Sequence, residues 1–305
     1  MTTTGSTGAT GTRERLSGCG TALVTPFRAD GGIDERALGE LVEWQMTEGV
    51  DFLVPCGSTG EAATMTPDEQ ARVVSVVAER AAGRVPVIAG AGSNDTRRAV
   101  ELSRMMRDAG ATHLLHTSPM YNKPPQRGIV AHFRAVAEAT ELPVVLYNVP
   151  GRTASNMEAR TTLALAEVPN VVAIKEASGN LTQVMEILRE RPPHFAVLSG
   201  DDALTLPIMS AGGDGVISVT SNATPRLMAR VVECMLAADM AGAREAHERL
   251  LPWMGAAFLE SNPIPVKAAL AMMGRIENVL RLPLLPLDRR HESALRAALE
   301  TAGAL

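Results

Sequence analysis

Short apolar runs alternate along this chain with longer amphipathic ones. The apolar runs, each bounded by Gly, Pro, Asn or Ser, are GTALVTPF (20–27), DFLVPCGS (51–58), PVIAGAGS (86–93), THLLHTSPM (112–120), PVVLYNVP (143–150), VVAIKEAS (171–178), FAVLSGD (195–201) and GVISVTSN (215–222). Each is continuous rather than alternating, the pattern of parallel strands covered on both faces. Between them lie segments with helical spacing, such as DERALGELVEWQMTEG (34–49) and PDEQARVVSVVAERAAG (67–83). The second opens with Thr66 as N-cap, Pro67 at the first helical position and Glu69 at the third, which is a capping box. Eight strand–helix units in succession predict an α/β fold, a (β/α)8 TIM barrel over 18–224. An open doubly wound sheet is the competing architecture, but no strand leads into GxGxxG, and GAGSND (90–95) holds only a lone GxG.

Beyond the eighth run the periodicity predicts helices over 225–240, 241–258, 263–273 and 289–302, a C-terminal helical appendage over 225–305 rather than a second enzyme domain. Residues 1–17, MTTTGSTGATGTRERLS, are Thr/Gly-rich and lack the apolar core of a signal peptide, so they read as a disordered tail.

Composition narrows the function class. Of 305 residues, 46% are hydrophobic and 21% charged, the proportions of a soluble globular protein with a sizeable core. A net charge of -5 argues against nucleic acid or an anionic membrane as partner, and no apolar run approaches the length of a membrane span. The three cysteines, Cys19, Cys56 and Cys234, are odd in number and lack CxxC spacing, which predicts buried free thiols in a reducing cytoplasm. Among 29 basic residues only Lys123, Lys175 and Lys267 are lysines, and Tyr121 and Tyr147 are the only two tyrosines. A chain this sparing draws attention to where each of them stands.

In a barrel the chemistry belongs at the carboxyl ends of the strands. Strand two leads into CGSTGEAA, with the hydroxyls of Ser58 and Thr59 between Gly57 and Gly60; it reads equally as a tight turn capping the next helix, and it does not match a phosphate loop. Strand four leads into SPMYNKPPQRG with Tyr121 and Lys123, strand five ends in LYNVPGRT with Tyr147 and Arg152, and strand seven ends in SGDD with Gly200, Asp201 and Asp202.

Strand six carries Lys175 in an otherwise apolar run. A structural pairing with Glu176 is one reading, but neighbouring strand residues point to opposite faces. If Val171, Ala173 and Lys175 share the inner face, the amine reaches into the barrel near its open end. A desolvated amine there loses its charge readily and attacks carbonyls, which points to Schiff-base chemistry. Such a reaction needs proton relays, and tyrosine and threonine hydroxyls supply them without adding charge. Arg152 is either a surface loop arginine or a planar fork for a substrate carboxylate. His113 and His116 fall on opposite faces of a strand and the other four histidines are scattered, so no metal site is expected.

As a set, GTALVTPF, GSTGEAATM, YNVPGRT, IKEASGNL, SGDD, GVISVTSN and NPIPVKAAL resemble the dihydrodipicolinate synthase family of pyruvate-dependent class I aldolases, from about residue 18 to 285. GSTGE and YNxP are shared with relatives such as N-acetylneuraminate lyase, whereas Arg152 after YNVP, SGDD and NPIPVK favour the synthase. The resemblance implies that pyruvate forms an imine with Lys175 and that the enamine attacks aspartate 4-semialdehyde, with no cofactor. It further implies a relay of Thr59, Tyr147 and Tyr121 from a neighbouring subunit, a carboxylate anchor at Arg152, backbone contacts at Gly200 and Ile217, a substrate contact at Ser58, and a cytoplasmic homotetramer built as a dimer of dimers.

Two departures stand out. Ser58 replaces the more usual threonine and is shared with the lyases. At the positions where many relatives bind lysine as a feedback inhibitor stand Ala62, Pro67, Gln70, Arg98 and Met120, with only Asn94 retained, so weak or absent lysine inhibition is expected. The alternatives are an aldolase of a sugar acid, such as 2-keto-3-deoxygluconate or N-acetylneuraminate, and a non-catalytic barrel that binds a keto acid.

Overall fold

The structure, a computed structural model, describes residues 15–305. Strands and helices alternate from the start: β1 (Gly18–Ala22), α1 (Glu35–Thr47), β2 (Phe52–Val54), α2 (Pro67–Ala81), β3 (Ile88–Gly90), α3 (Thr96–Asp108), β4 (His113–Thr117), α4 (Gln126–Glu138) and β5 (Val144–Asn148). The single turn α5 (Pro150–Thr153) precedes α6 (Ala159–Ala166), β6 (Val171–Glu176), α7 (Leu181–Glu190), β7 (Ala196–Ser199), α8 (Thr205–Ser210) and β8 (Gly215–Ser218). Four helices follow: α9 (Pro225–Leu236), α10 (Met240–Ala256), α11 (Ile264–Met272) and α12 (Glu292–Ala302). The capping box at Thr66 is formed, with the Thr66 side chain and the Glu69 carboxylate each accepting the other residue's backbone N–H.

All pairings are parallel, in the order β2-β1-β8-β7-β6-β5-β4-β3. A bridge between Leu53 and Val87, and the Gly90 N–H donating to the Pro55 carbonyl at 2.9 Å, join β2 to β3 and close the ring. The expected TIM barrel is present.

Alternation along each strand separates two apolar layers. On β5, Val145 and Tyr147 face the barrel interior with Val54, Ile88, Leu115, Ala173 and Leu198. Val144 and Leu146 face outward under Phe133 of α4 and Leu165 of α6. On β6 the alternation breaks once. The register against β5 shifts between Val144 and Val145, leaving Val172 as the extra residue, so Val171 belongs to the outer layer while Ala173 belongs to the inner one. The expectation that Val171 shares the face of Lys175 is therefore corrected, and Ala173 alone does.

The boundary drawn at residue 225 also moves. Helix α9 packs against β1 and β8 and serves as the barrel's eighth helix, so the appendage begins with α10. No strand follows β8 among the described residues. Of the tail expected to be disordered, residues 1–14 lie outside the described residues. Residues 15–17 are held: Arg15 pairs with Asp214 at 2.9 Å and Leu16 packs on the inner barrel layer. Cys19, Cys56 and Cys234 are buried and free, and no described helix is long and apolar enough to cross a membrane.

Candidate active site

The carboxyl ends of the strands open into a cavity of about 220 Å³. Its lining brings together Ser58, Thr59, Tyr147, Arg152, Lys175 and Gly200 from four separate stretches of sequence, together with Asp202 of SGDD and Asn262 from beyond the barrel.

Lys175 is 4% exposed and its Nζ lies 4.5 Å from the centroid of the Tyr147 ring. Burial brings its pKa down to about 8, with Arg152 acting the same way and Asp202 opposing. Glu176 does not neutralise it. That carboxylate faces away and accepts from the Ser178 N–H at 2.7 Å, the Asn148 amide at 3.1 Å and the Gln183 amide at 3.2 Å. Position 200 needs glycine for the lysine to pass, since a Cβ there would meet the Cγ of Lys175 at 3.0 Å and the Cβ of Ala177 at 2.7 Å. The amine therefore reaches its neutral form, the one capable of nucleophilic attack, near pH 8, well below an ordinary lysine.

Tyr147, one pleat opposite in the paired strand, is held at the cavity by the β5–β6 register of Tyr147 with Lys175. Burial pushes its phenol up to about 12, so it stays protonated and can relay a proton only by taking one as it gives one. Arg152 sits on α5, just past β5, and donates from Nη2 to the Asn262 carbonyl at 3.2 Å. Its guanidinium is exposed at the mouth, open to a substrate carboxylate.

The loop after β2 is strained at both ends. Cys56 and Glu61 take positive φ values of 57° and 54°, which non-glycine residues rarely adopt. Between them Thr59 is buried and accepts at Oγ1 from the Asn262 amide at 2.8 Å, while Ser58 is exposed at the rim. The strain is held from the appendage. Lys267 of α11, fully buried, donates to Glu61 at 2.6 Å and to the Thr25 carbonyl at 2.8 Å, and the Arg281 N–H donates to the other Glu61 oxygen at 3.1 Å.

Two of the residues singled out lie apart. Ile217 is fully buried in the inner layer of the barrel and is not among the lining residues. Tyr121 is 88% exposed, with φ 72°, and does not line this cavity in the single chain. Asn262 and the Glu61–Lys267 pairing escaped the sequence reading, whereas Asp202 entered it only as part of SGDD, with no role. The rarity of lysine was the available signal for Lys267, since a lone one inside an apolar helix requires a buried partner.

No group of three or more His, Cys, Asp and Glu side chains among the described residues is placed to hold a metal ion. His116 is fully buried beside Ser103, and burial brings its pKa down to about 3, so it is neutral.

A model of the dihydrodipicolinate synthetase family matches residues 15–302. The chain belongs to that family. It is 52% identical to a 4-hydroxy-tetrahydrodipicolinate synthase of Koribacter versatilis, covering 95% of this chain and 97% of the relative. It is 53% identical to the enzyme of that name from Acidobacterium capsulatum, covering 93% and 94%. A crystal structure of the chloride-inhibited dihydrodipicolinate synthase of Acinetobacter baumannii with pyruvate superposes with a TM-score of 0.93, at 42% identity, covering 95% of this chain and 99% of that one.

Proposed function

We propose that this chain is a 4-hydroxy-tetrahydrodipicolinate synthase, condensing pyruvate with L-aspartate 4-semialdehyde through an imine on Lys175. The observation that carries this reading is the buried Lys175, its pKa brought down to about 8, sharing a strand-end cavity with Tyr147 and Arg152. Family membership and relatives at about half identity support the same chemistry.

The Lys175 amine adds to the C2 carbonyl of pyruvate, and loss of water gives the imine. Removal of a C3 proton then gives the enamine, whose C3 forms a carbon–carbon bond with the aldehyde carbon while the new alkoxide takes up a proton. The substrate's own amino group attacks the imine carbon and displaces Lys175, closing the ring. The protons pass through neutral hydroxyls: the Tyr147 phenol and the Thr59 hydroxyl both line the cavity, and Tyr121 of a neighbouring subunit completes the relay. Arg152 anchors the semialdehyde carboxylate. A dimer of dimers is the assembly that this use of Tyr121 calls for.

Intact mass after borohydride reduction tests the reading. Pyruvate is expected to leave an adduct on the wild type, discharged by the semialdehyde with product formation and absent in Lys175→Ala. An adduct that the semialdehyde leaves untouched hands the function to a sugar-acid aldolase. No adduct on the wild type overturns the Schiff-base chemistry.

A further inference from the structure

Asn262 comes from the segment between α10 and α11, outside the barrel, yet its buried side chain ends on the Thr59 hydroxyl. The amide Nδ2 donates to Thr59 Oγ1 at 2.8 Å, while the Asn262 Oδ1 is buried and has no partner. An amide in a buried site can hold a hydroxyl in either sense, and the sense matters here. A hydroxyl that accepts from an amide keeps its one proton for another acceptor, whereas one that donates to an amide oxygen has spent it. The same residue's carbonyl accepts from Arg152, so one residue of the appendage reaches both the hydroxyl and the cation of the cavity wall.

We propose that Asn262 is a positioning residue that fixes Thr59 as acceptor toward the appendage and donor toward the cavity. This rests on the proposed Schiff-base function. The unpartnered Oδ1 fits the assignment: the amide is oriented for Thr59 even though its oxygen gains nothing. Thr59 then hands its proton into the cavity, where Tyr147 and the bound intermediate lie, and the barrel's chemistry depends on a side chain that the barrel itself does not supply.

The test is the isosteric Asn262→Asp, whose carboxylate can only accept and would draw the Thr59 proton away from the cavity. Compared with wild type, Asn262→Asp is expected to lose at least about tenfold in kcat with aspartate semialdehyde while KM for pyruvate and Tm stay nearly unchanged. Thr59→Val is expected to lose a similar factor, and Thr59→Val with Asn262→Asp no more than either alone. Asn262→Gln, which keeps the donor, is expected to recover part of kcat. If Asn262→Asp works as well as wild type, the bond runs the other way and the proposal fails. If the two losses multiply, the new charge acts without Thr59, and the proposal fails again. If wild type itself forms a pyruvate adduct but no product, the proposed function fails instead, and the two failures are told apart by that control.

Discussion

At the scale of single residues, Lys175 joins reactivity to a cost in stability. A buried amine with a pKa of about 8 against 10.5 for an ordinary lysine is disfavoured as an ammonium in the folded state by about 3 kcal/mol. Because the folded value is the lower one, the unfolded chain binds more protons between pH 8 and 10.5, so that cost is present in full below pH 8 and fades as pH rises. Lys175→Met is therefore expected to be inactive yet more stable than wild type at pH 7, by up to about 3 kcal/mol, with the gap narrowing by pH 9.5. Urea unfolding at the two pH values measures it, and a variant no more stable than wild type at pH 7 defeats the argument. The same value sets the activity profile. Only the free amine attacks pyruvate, so the rate of borohydride-trappable adduct formation should climb about tenfold per pH unit below 8 and level off above it. A flat profile between pH 6 and 8 would show that the lysine is not the titrating nucleophile.

Elements explain why parts of the site were readable in the sequence and parts were not. Continuous apolar runs and the turns after them located all eight strands, and with them Thr59, Tyr147, Arg152, Lys175 and Gly200, because chemistry placed at strand ends inherits the regularity of the strands. The slip at Val172 was invisible, since an extra residue in an all-apolar run leaves no trace in the pattern. Nor does periodicity show what a distant segment does to a loop, which is how Asn262, Lys267 and Arg281 went unread. Their work is to brace the loop bearing Thr59. Lys267 stays below the ordinary lysine pKa because burial outweighs its bond to Glu61, and the pair is fully enclosed. Breaking it leaves an unpaired buried carboxylate, so Lys267→Met is expected to cost about 3–5 kcal/mol, and Lys267→Met with Glu61→Gln distinctly less. Equal losses in chemical denaturation would mean that the lysine acts by packing alone. The walls of a neighbouring cavity of about 720 Å³ support the expected indifference to lysine. Pro67 and Gln70 of α2 and Arg98 of α3 line it; the Gln70 amide is already donated to the Ala62 carbonyl at 2.8 Å, and Arg98, paired with Glu101 at 3.2 Å, offers no acceptor to a lysine ammonium. Turnover in low-millimolar lysine should be unchanged, and inhibition by half would contradict this.

For the molecule as a whole, the question is whether one chain holds a complete site. Tyr121 is one of only two tyrosines, yet it stands 88% exposed on a loop where it and Lys123 both take positive φ values, of 72° and 45°. Strain of this kind is kept where the surroundings, or a partner, make use of it. A large aromatic standing in solvent is of use to a second copy, and in a two-fold pair each chain would lend its tyrosine to the other's cavity. Complementation follows from that geometry. Lys175→Ala lacks the nucleophile and Tyr121→Phe lacks the lent hydroxyl, so each alone should be nearly inactive. A mixed dimer has one cavity that combines its own Lys175 with the partner subunit's Tyr121, and one cavity that has neither. Co-expression in equal amounts makes half of the dimers mixed, so about a quarter of wild-type activity should return. In the mixture the pyruvate adduct should sit on the Tyr121→Phe chain alone, the one that keeps Lys175, identified by mass. If the co-expressed variants show no more than the sum of the separate ones, Tyr121 serves its own chain or none, and the proton relay closes within a single barrel.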